Sequence, residues 1–299
     1  MLSPFLFRRK MEIGMERQLW KKIVKLIKGI GKLRGNVMCT FSDAVIVKTW
    51  LWAVLHDRPV AWACQACNWP ICERHWKLPS ASTMSRRLRS TGVGWLLRQL
   101  EKLVLQSDLS ANLVWSVDGK PLPISRHSQD RQAGYGRAVG GKAKGYKIHA
   151  IVGQNDSIAH WRLAPMNKDE RVMAGRMLKQ TKIQGYLLAD SNYDSNKLHQ
   201  QCDEHGNLQL VSPRRYGPGR GFGHRKQTVG RLRSVQILEH HTPEFGNDLF
   251  KLRKSIERFF GNLTNWAAGL THLPPWIRTY QRVYRWVQTK IIINAVKRI

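Results

Sequence analysis

The chain has 299 residues, with 50 Lys+Arg against 20 Asp+Glu, a net charge of +30 and a pI near 10.6. Such a charge attracts polyanions and makes nucleic acid the expected partner, while 12 Trp and 42% hydrophobic residues exclude a basic disordered tail. Five irregularly spaced cysteines argue against a disulfide framework and for a reducing compartment, and no apolar run reaches membrane-spanning length.

Leu2 to Phe7 are apolar, but Arg8, Arg9 and Lys10 follow them, opposite to the order in a secretory signal. A start at Met11 or Met15 accounts for this equally well. From Glu16 to Leu33, Leu19, Ile23, Leu26, Ile27 and Ile30 alternate with Lys21, Lys22, Lys25, Lys28 and Lys32, predicting a basic amphipathic helix within an arm spanning 1–40. It could follow a phosphate backbone, lie on an anionic membrane, or present a solvated cationic face. Residues 41–110 read as a helical DNA-binding region. Ser42 caps a helix through Trp50 to Leu55, Pro59 opens a second ending before Pro70, and Pro79-Ser80 opens a third containing Arg86, Arg87 and Arg89. The pattern resembles a helix-turn-helix whose recognition helix is Ser80 to Arg89. Cys64, Cys67, Cys72 and His75 have zinc-like spacing, but the first two fall in a Trp- and Ala-rich helical run where buried cysteine is the simpler account. An apolar helix, Trp95 to Leu105, leads into the next region.

Residues 111–299 read as mixed α/β. A strand from Leu113 ends at Asp118, and a second covers Leu122 to Ser125. A Gly-rich turn over Gly134 to Gly145 precedes strands Tyr146 to Val152 and Ser157 to Leu163. A helix from Lys168 to Lys179 is entered through Asn167, a further strand ends at Asp190, and a helix Ser195 to Glu204 leads to a strand Leu208 to Ser212. Glu257 lies on a helix from Leu249 to Trp266 with its apolar stripe at Leu252, Ile256, Phe259, Phe260 and Leu263. This order is what an RNase H-like sheet needs, because its first and fourth strands are neighbours and bring their terminal acids together.

Each acid has a plainer reading. Asp118-Gly119 could be a turn, Asp190 a helix cap, and Glu257 the partner of Arg253 in a surface i,i+4 pair. Together they can hold Mg²⁺, which takes a few carboxylates and completes its shell with substrate phosphates. The segments Val117-Asp118-Gly119, Lys144-Gly145-Tyr146-Lys147, Leu188-Ala189-Asp190-Ser191-Asn192-Tyr193-Asp194 and Arg253-Lys254-Ser255-Ile256-Glu257-Arg258-Phe259-Phe260 resemble the D-D-E transposases of bacterial insertion sequences. The resemblance implies an RNase H-like catalytic core, Asp118, Asp190 and Glu257 as catalytic ligands of two Mg²⁺ ions with Mn²⁺ as a substitute, and DNA strand transfer at terminal inverted repeats. It also implies a homodimer on double-stranded DNA in the bacterial cytoplasm, at the nucleoid. Phe250 stands where that family often has Tyr and Thr264 where it has Lys, while Arg253 and Glu257 are intact.

Gly136 to Ala143 approaches a phosphate-binding P-loop but lacks the Ser or Thr for Mg²⁺ and precedes a strand pattern, so nucleotide hydrolysis is excluded. Lys142, Lys144 and Lys147 instead mark a cationic hairpin near DNA. The basic loop 214–233, with Arg220, Arg225 and Lys226, is expected to track phosphates outside the core, and Arg253 to hold one. An RNase H-like nuclease that cuts without joining, or a non-catalytic DNA-binding relic, are the alternatives.

Overall fold

The computed structural model describes residues 4–31, 39–70, 77–105, 111–125, 127–215, 227–240, 243–265, 269–270 and 273–298. Two compact units are formed. One comprises Met1–Leu105, Leu263–Leu270 and Gln281–Ile299, the other Gln106–Asn262 and Thr271–Tyr280.

The first unit is helical. It holds α1 (Pro4–Gly31), α2 (Asp43–Leu55), α3 (Val60–Ala63), α4 (Ala81–Arg87) and α5 (Thr91–Leu105). Ser42 and Ser80 cap α2 and α4 by accepting the amides of Val45 and Thr83, as the sequence predicts. The second expected helix shrinks to α3 and a 3₁₀ turn at Ala66–Asn68. The apolar stripe of α1 is core: Leu19, Trp20, Ile23, Ile27 and Ile30 are buried, with Trp20 edge-on to Trp52 at 4.8 Å, and Lys21, Lys22, Lys25 and Lys28 face solvent. A stripe buried against other helices is not available to a membrane surface, which overturns that reading. The C-terminal helix, Tyr280–Arg298, is buried from Trp286 to Val296. Trp50 Nε1 donates to Thr289 Oγ1 at 2.8 Å. This segment therefore clusters with the N-terminal helices, whereas the sequence boundary at 110/111 assigns it to the later region.

The second unit is built on a sheet of β1 (Val114–Pro123), β2 (Gly134–Ala138), β3 (Gly141–Gly153), β4 (Ile158–Pro165), β5 (Gly185–Leu188) and β6 (Leu208–Val211). The order is β2-β3-β1-β5-β6, with β4 also on β3. β1 is antiparallel to β3 and parallel to β5, and β5 is parallel to β6. Trp115, Val117 and Leu187 pack with Met177 of α6 (Glu170–Leu178) and Leu198 and Cys202 of α7 (Asn196–His205). Two further helices are α8 (Val229–Val235) and α9 (Pro243–Lys251), and α10 (Lys254–Thr264) follows them. Leu188 and Val211 form a separate cluster with Leu249 of α9. This is the mixed α/β, RNase H-like arrangement anticipated, with β1 and β5 adjacent.

Several local expectations change. β1 runs on through Asp118 and Gly119 to Pro123, so Asp118 lies within a strand and not at its end. Gly119 is there for clearance: a Cβ would meet Lys147 Cδ at 2.8 Å and His149 Nδ1 at 3.1 Å. The Gly-rich stretch is a hairpin, β2 to β3, turning at Gly140 and Gly141 with φ of 85° and 119°. Asp169, not Asn167, caps α6. The helix expected from Leu249 to Trp266 breaks at Leu252-Arg253, where amides reach back three residues, leaving Leu252 exposed and off the buried stripe.

Candidate active site

The parallel register pairs Ser116 with Leu188. Side chains two residues further along each strand direction share that face, and these are Asp118 and Asp190. Asp118 Oδ1 accepts the Gly119 amide at 2.7 Å. Burial pushes the Asp118 pKa up to about 6; the Gly119 hydrogen bond and Arg253 oppose this, and the charges of Asp190 and Glu170 add to it. Asp190 accepts the amide of Asn192 at 2.9 Å, so it does cap the one-turn helix Ser191–Tyr193, while Ser195 caps α7. Capping leaves it beside Asp118.

The third acid arrives through side-chain anchors. Ser255 Oγ on α10 and Ser116 Oγ on β1 are hydrogen-bonded at 3.1 Å in a buried position, two residues before Glu257 and Asp118 respectively. Gln154 Nε2 donates to Leu252 O at 3.1 Å, and Arg258 Nε to Asp156 Oδ1 at 3.0 Å. With α10 so held, Arg253 Nη2 donates to Glu257 Oε1 at 2.9 Å, and its Nη1 lies 3.8 Å from Asp118 Oδ2. The i,i+4 pair is real, yet the same guanidinium spans to Asp118, and Glu257 remains 59% exposed.

Four neighbours were not legible in advance as parts of this site. Glu170, first residue of α6, acts electrostatically on Asp118 and accepts a hydrogen bond from Lys147 Nζ. Lys147 is thus committed to a carboxylate, not a free cation awaiting DNA. Tyr193 is fully buried, its hydroxyl has no partner among the described residues, and burial followed by the charges of Glu170, Asp118 and Asp190 raises its pKa well above the ordinary value. His149 is fully buried beside Gly119, with neither ring nitrogen bonded among the described residues. Burial and then Lys147 lower its pKa to about 3, so it is neutral. The sequence signals were that Lys147 and Tyr193 fall in segments that carry the family resemblance, and that Tyr193 follows Asp190 by three positions.

The family of the transposase DDE domain matches residues 110–293, which is more than half of the chain. The chain belongs to the DDE transposase family. No curated protein matches it. Membership makes this protein a transposase, an enzyme whose substrate is DNA, and the match covers the whole sheet with its three candidate acids. Among the described residues no helix is long and apolar enough to cross a membrane, and no three His, Cys, Asp or Glu side chains are gathered tightly enough to enclose a metal ion. The donors of this candidate site are nonetheless all carboxylate oxygens, two of them juxtaposed by the sheet and the third exposed and paired with Arg253. That set fits a hard divalent cation whose remaining ligands come from substrate phosphates.

Other expected contact residues are scattered. Lys142 is exposed on the hairpin, 5.8 Å from the Tyr135 ring, and Lys144 Nζ donates to Ser128 O at 3.2 Å. Arg86 and Arg89 are exposed, but Arg87 Nη2 donates to Asp43 Oδ1 at 2.7 Å and is held on α2. Arg220, Arg225, Lys226, Cys72 and His75 lie outside the described residues. Cys64 donates to Val60 O at 3.2 Å, burial raises its pKa to about 11, and Cys67 is exposed. The basic loop is shorter than expected. Residues 229–233 at its end belong to α8, whose Arg231 is buried and donates Nε and Nη2 to the two oxygens of Asp194, each at 2.8 Å. Arg214 pairs with Glu239 at 2.8 Å.

Proposed function

We propose that this transposase cuts DNA at the ends of a bacterial insertion sequence and joins the freed 3′ end to a target, with Asp118, Asp190 and Glu257 as ligands of two Mg²⁺ ions for which Mn²⁺ can substitute. The observation that carries the reading is the strand register that juxtaposes Asp118 and Asp190 while Arg253 spans Asp118 and Glu257. Bound divalent ions would activate the attacking oxygen and neutralise the leaving one in an in-line displacement. The residues do the rest. Arg253, released from Glu257, presents two donors to a non-bridging phosphate oxygen pair, and the Ser116–Ser255 bond keeps α10 in reach of the sheet. No side chain forms a bond to DNA in this scheme.

Recognition of the terminal inverted repeats falls to the α4 region, with Arg86 and Arg89 as the exposed arginines for base edges. Lys142, Lys144, Arg220, Arg225 and Lys226 serve the phosphate backbone. A homodimer brings the two ends together at the nucleoid. The test uses duplexes carrying the repeats that flank the gene. Wild-type protein should cut them only with Mg²⁺ or Mn²⁺ and yield joined products, while Asp118→Asn, Asp190→Asn and Glu257→Gln should bind but not cut. Cutting without joining would mean a nuclease, binding without cutting by wild type a relic, and full activity of Glu257→Gln would remove that residue from the site.

A further inference from the structure

α6 and α7 lie side by side over one cluster of the sheet core, and between them is a pocket of about 400 Å³. Its walls include Asp169, Arg171, Arg176 and Lys179 from the α6 side and Ser195 and Lys197 from the α7 side. The helices approach closely at its base, where a Cβ on Gly175 would meet Gln201 Oε1 at 2.1 Å. One acid against four cations leaves the rim strongly positive. Asp169 is already engaged by Arg171, whose Nε donates to Oδ1 at 3.0 Å. Arg176, Lys179 and Lys197 are exposed, and none has an ion-pair or hydrogen-bond partner for its side chain among the described residues. Three unpaired cations facing one concavity repel one another, and an anion lodged there would relieve that repulsion.

The position of the groove says which anion. Its α6 wall begins beside Glu170, whose charge acts on Asp118, and its α7 wall begins at Ser195, five residues after Asp190. A strand whose phosphate is being processed at those acids continues away from them past the start of both helices. We infer that the α6–α7 groove binds the phosphodiester backbone of DNA flanking the bond that is cut, with Arg176, Lys179 and Lys197 as its contacts. The inference rests on the reading of Asp118 and Asp190 as the cutting site and extends it to the track of the substrate.

The experiment measures binding of an end-sequence duplex by the full-length protein over a range of salt concentrations, for wild type and for Arg176→Gln/Lys179→Gln/Lys197→Gln. The slope of log K against log salt should become shallower in the triple variant by about 2 to 3, roughly one unit for each phosphate that the variant no longer neutralises, with an unchanged thermal midpoint since all three side chains are exposed. In parallel, amine modification of wild type read by mass spectrometry should show Lys179 and Lys197 protected by duplex DNA and unprotected by inorganic phosphate alone. A slope unchanged in the triple variant, with wild type binding and cutting normally, would overturn the groove and leave the proposed function standing. Protection by inorganic phosphate alone would overturn the backbone assignment in favour of a small-anion site. Failure of wild type itself to cut would strike the functional reading instead, and the protection pattern would then decide the groove independently.

Discussion

Two carboxylate–arginine pairs in the sheet unit show how the same charges serve opposite ends. Asp194 and Arg231 are both about 2% exposed and meet through two hydrogen bonds at 2.8 Å; the Arg215 amide adds a third at 3.0 Å, and His199 lies 3.5 Å away. Burial acts to raise the Asp194 pKa, but the nearby His199 ring and the hydrogen bonds from Arg231 and the Arg215 amide outweigh it and hold the carboxyl well below its ordinary range. Asp118 is also largely buried, yet it receives one backbone hydrogen bond and a guanidinium at 3.8 Å, and its pKa rises to about 6. A saturated carboxylate is an anchor. An under-coordinated one, beside a second acid, is available for a ligand.

The largest expected effect breaks the second pair. Asp118→Asn should lower the cleavage rate by about 10³-fold or more, the several kcal/mol attributed to metal-assisted charge stabilisation, in a single-turnover assay. The thermal midpoint of that variant should stay the same or rise slightly, because a carboxylate that burial penalises has been removed. A large drop in midpoint would mean Asp118 is an anchor after all.

Asp194→Asn should do the reverse. Breaking a buried, hydrogen-bonded pair leaves Arg231 uncompensated and is expected to cost about 3 to 5 kcal/mol by urea denaturation. Because the folded pKa is depressed, the stabilisation is fully present above the unfolded carboxyl value near ~3.9 and is lost as pH falls below it. The difference between wild type and variant should therefore be widest at neutral pH and close in acid. An equal difference at both pH values would show that packing, not ionisation, is responsible.

Arg253→Ala sharpens the contrast with Arg231. Its pair with the exposed Glu257 is an i,i+4 contact worth a few tenths of a kcal/mol, so stability should hardly change. Cleavage should fall by roughly 10- to 100-fold, the equivalent of one charge-assisted hydrogen bond to phosphate. The smallest effect concerns the tie between helix and sheet. A double-mutant cycle of Ser116→Ala and Ser255→Ala should give a coupling of about 0.5 to 1.5 kcal/mol, and a coupling near zero would mean that α10 docks without that bond.

The contrast between the two pairs also marks where sequence reading reached its limit. Asp118, Asp190, Glu257 and Arg253 could be singled out because they interrupt apolar, periodic segments in a chain poor in acids. Asp194 and Arg231 could not. Asp194 reads as one more polar residue ahead of a helix, and Arg231 as one more cation of a basic loop, because nothing local distinguishes an arginine that will be buried against a partner 37 positions away. Lys147 and Arg87 misled for the same reason: each reads as a free cation until Glu170 and Asp43 are brought against it.

What the amino-acid order alone determined is local. The caps at Ser42, Ser80 and Ser195, the mixed α/β succession and the stripe of α1 all follow from hydrogen bonds and apolar spacings within a few residues of one another. The tertiary structure decided the rest. It carried β1 past Asp118 through pairing with β3, broke the last long helix at Arg253, and joined Ser116 to Ser255 across 139 positions. Those outcomes depend on surfaces that meet only when the sheet has formed, which is why the acids and Arg253 could be named from the chain while the bridge that Arg253 makes between two of the acids needed the fold.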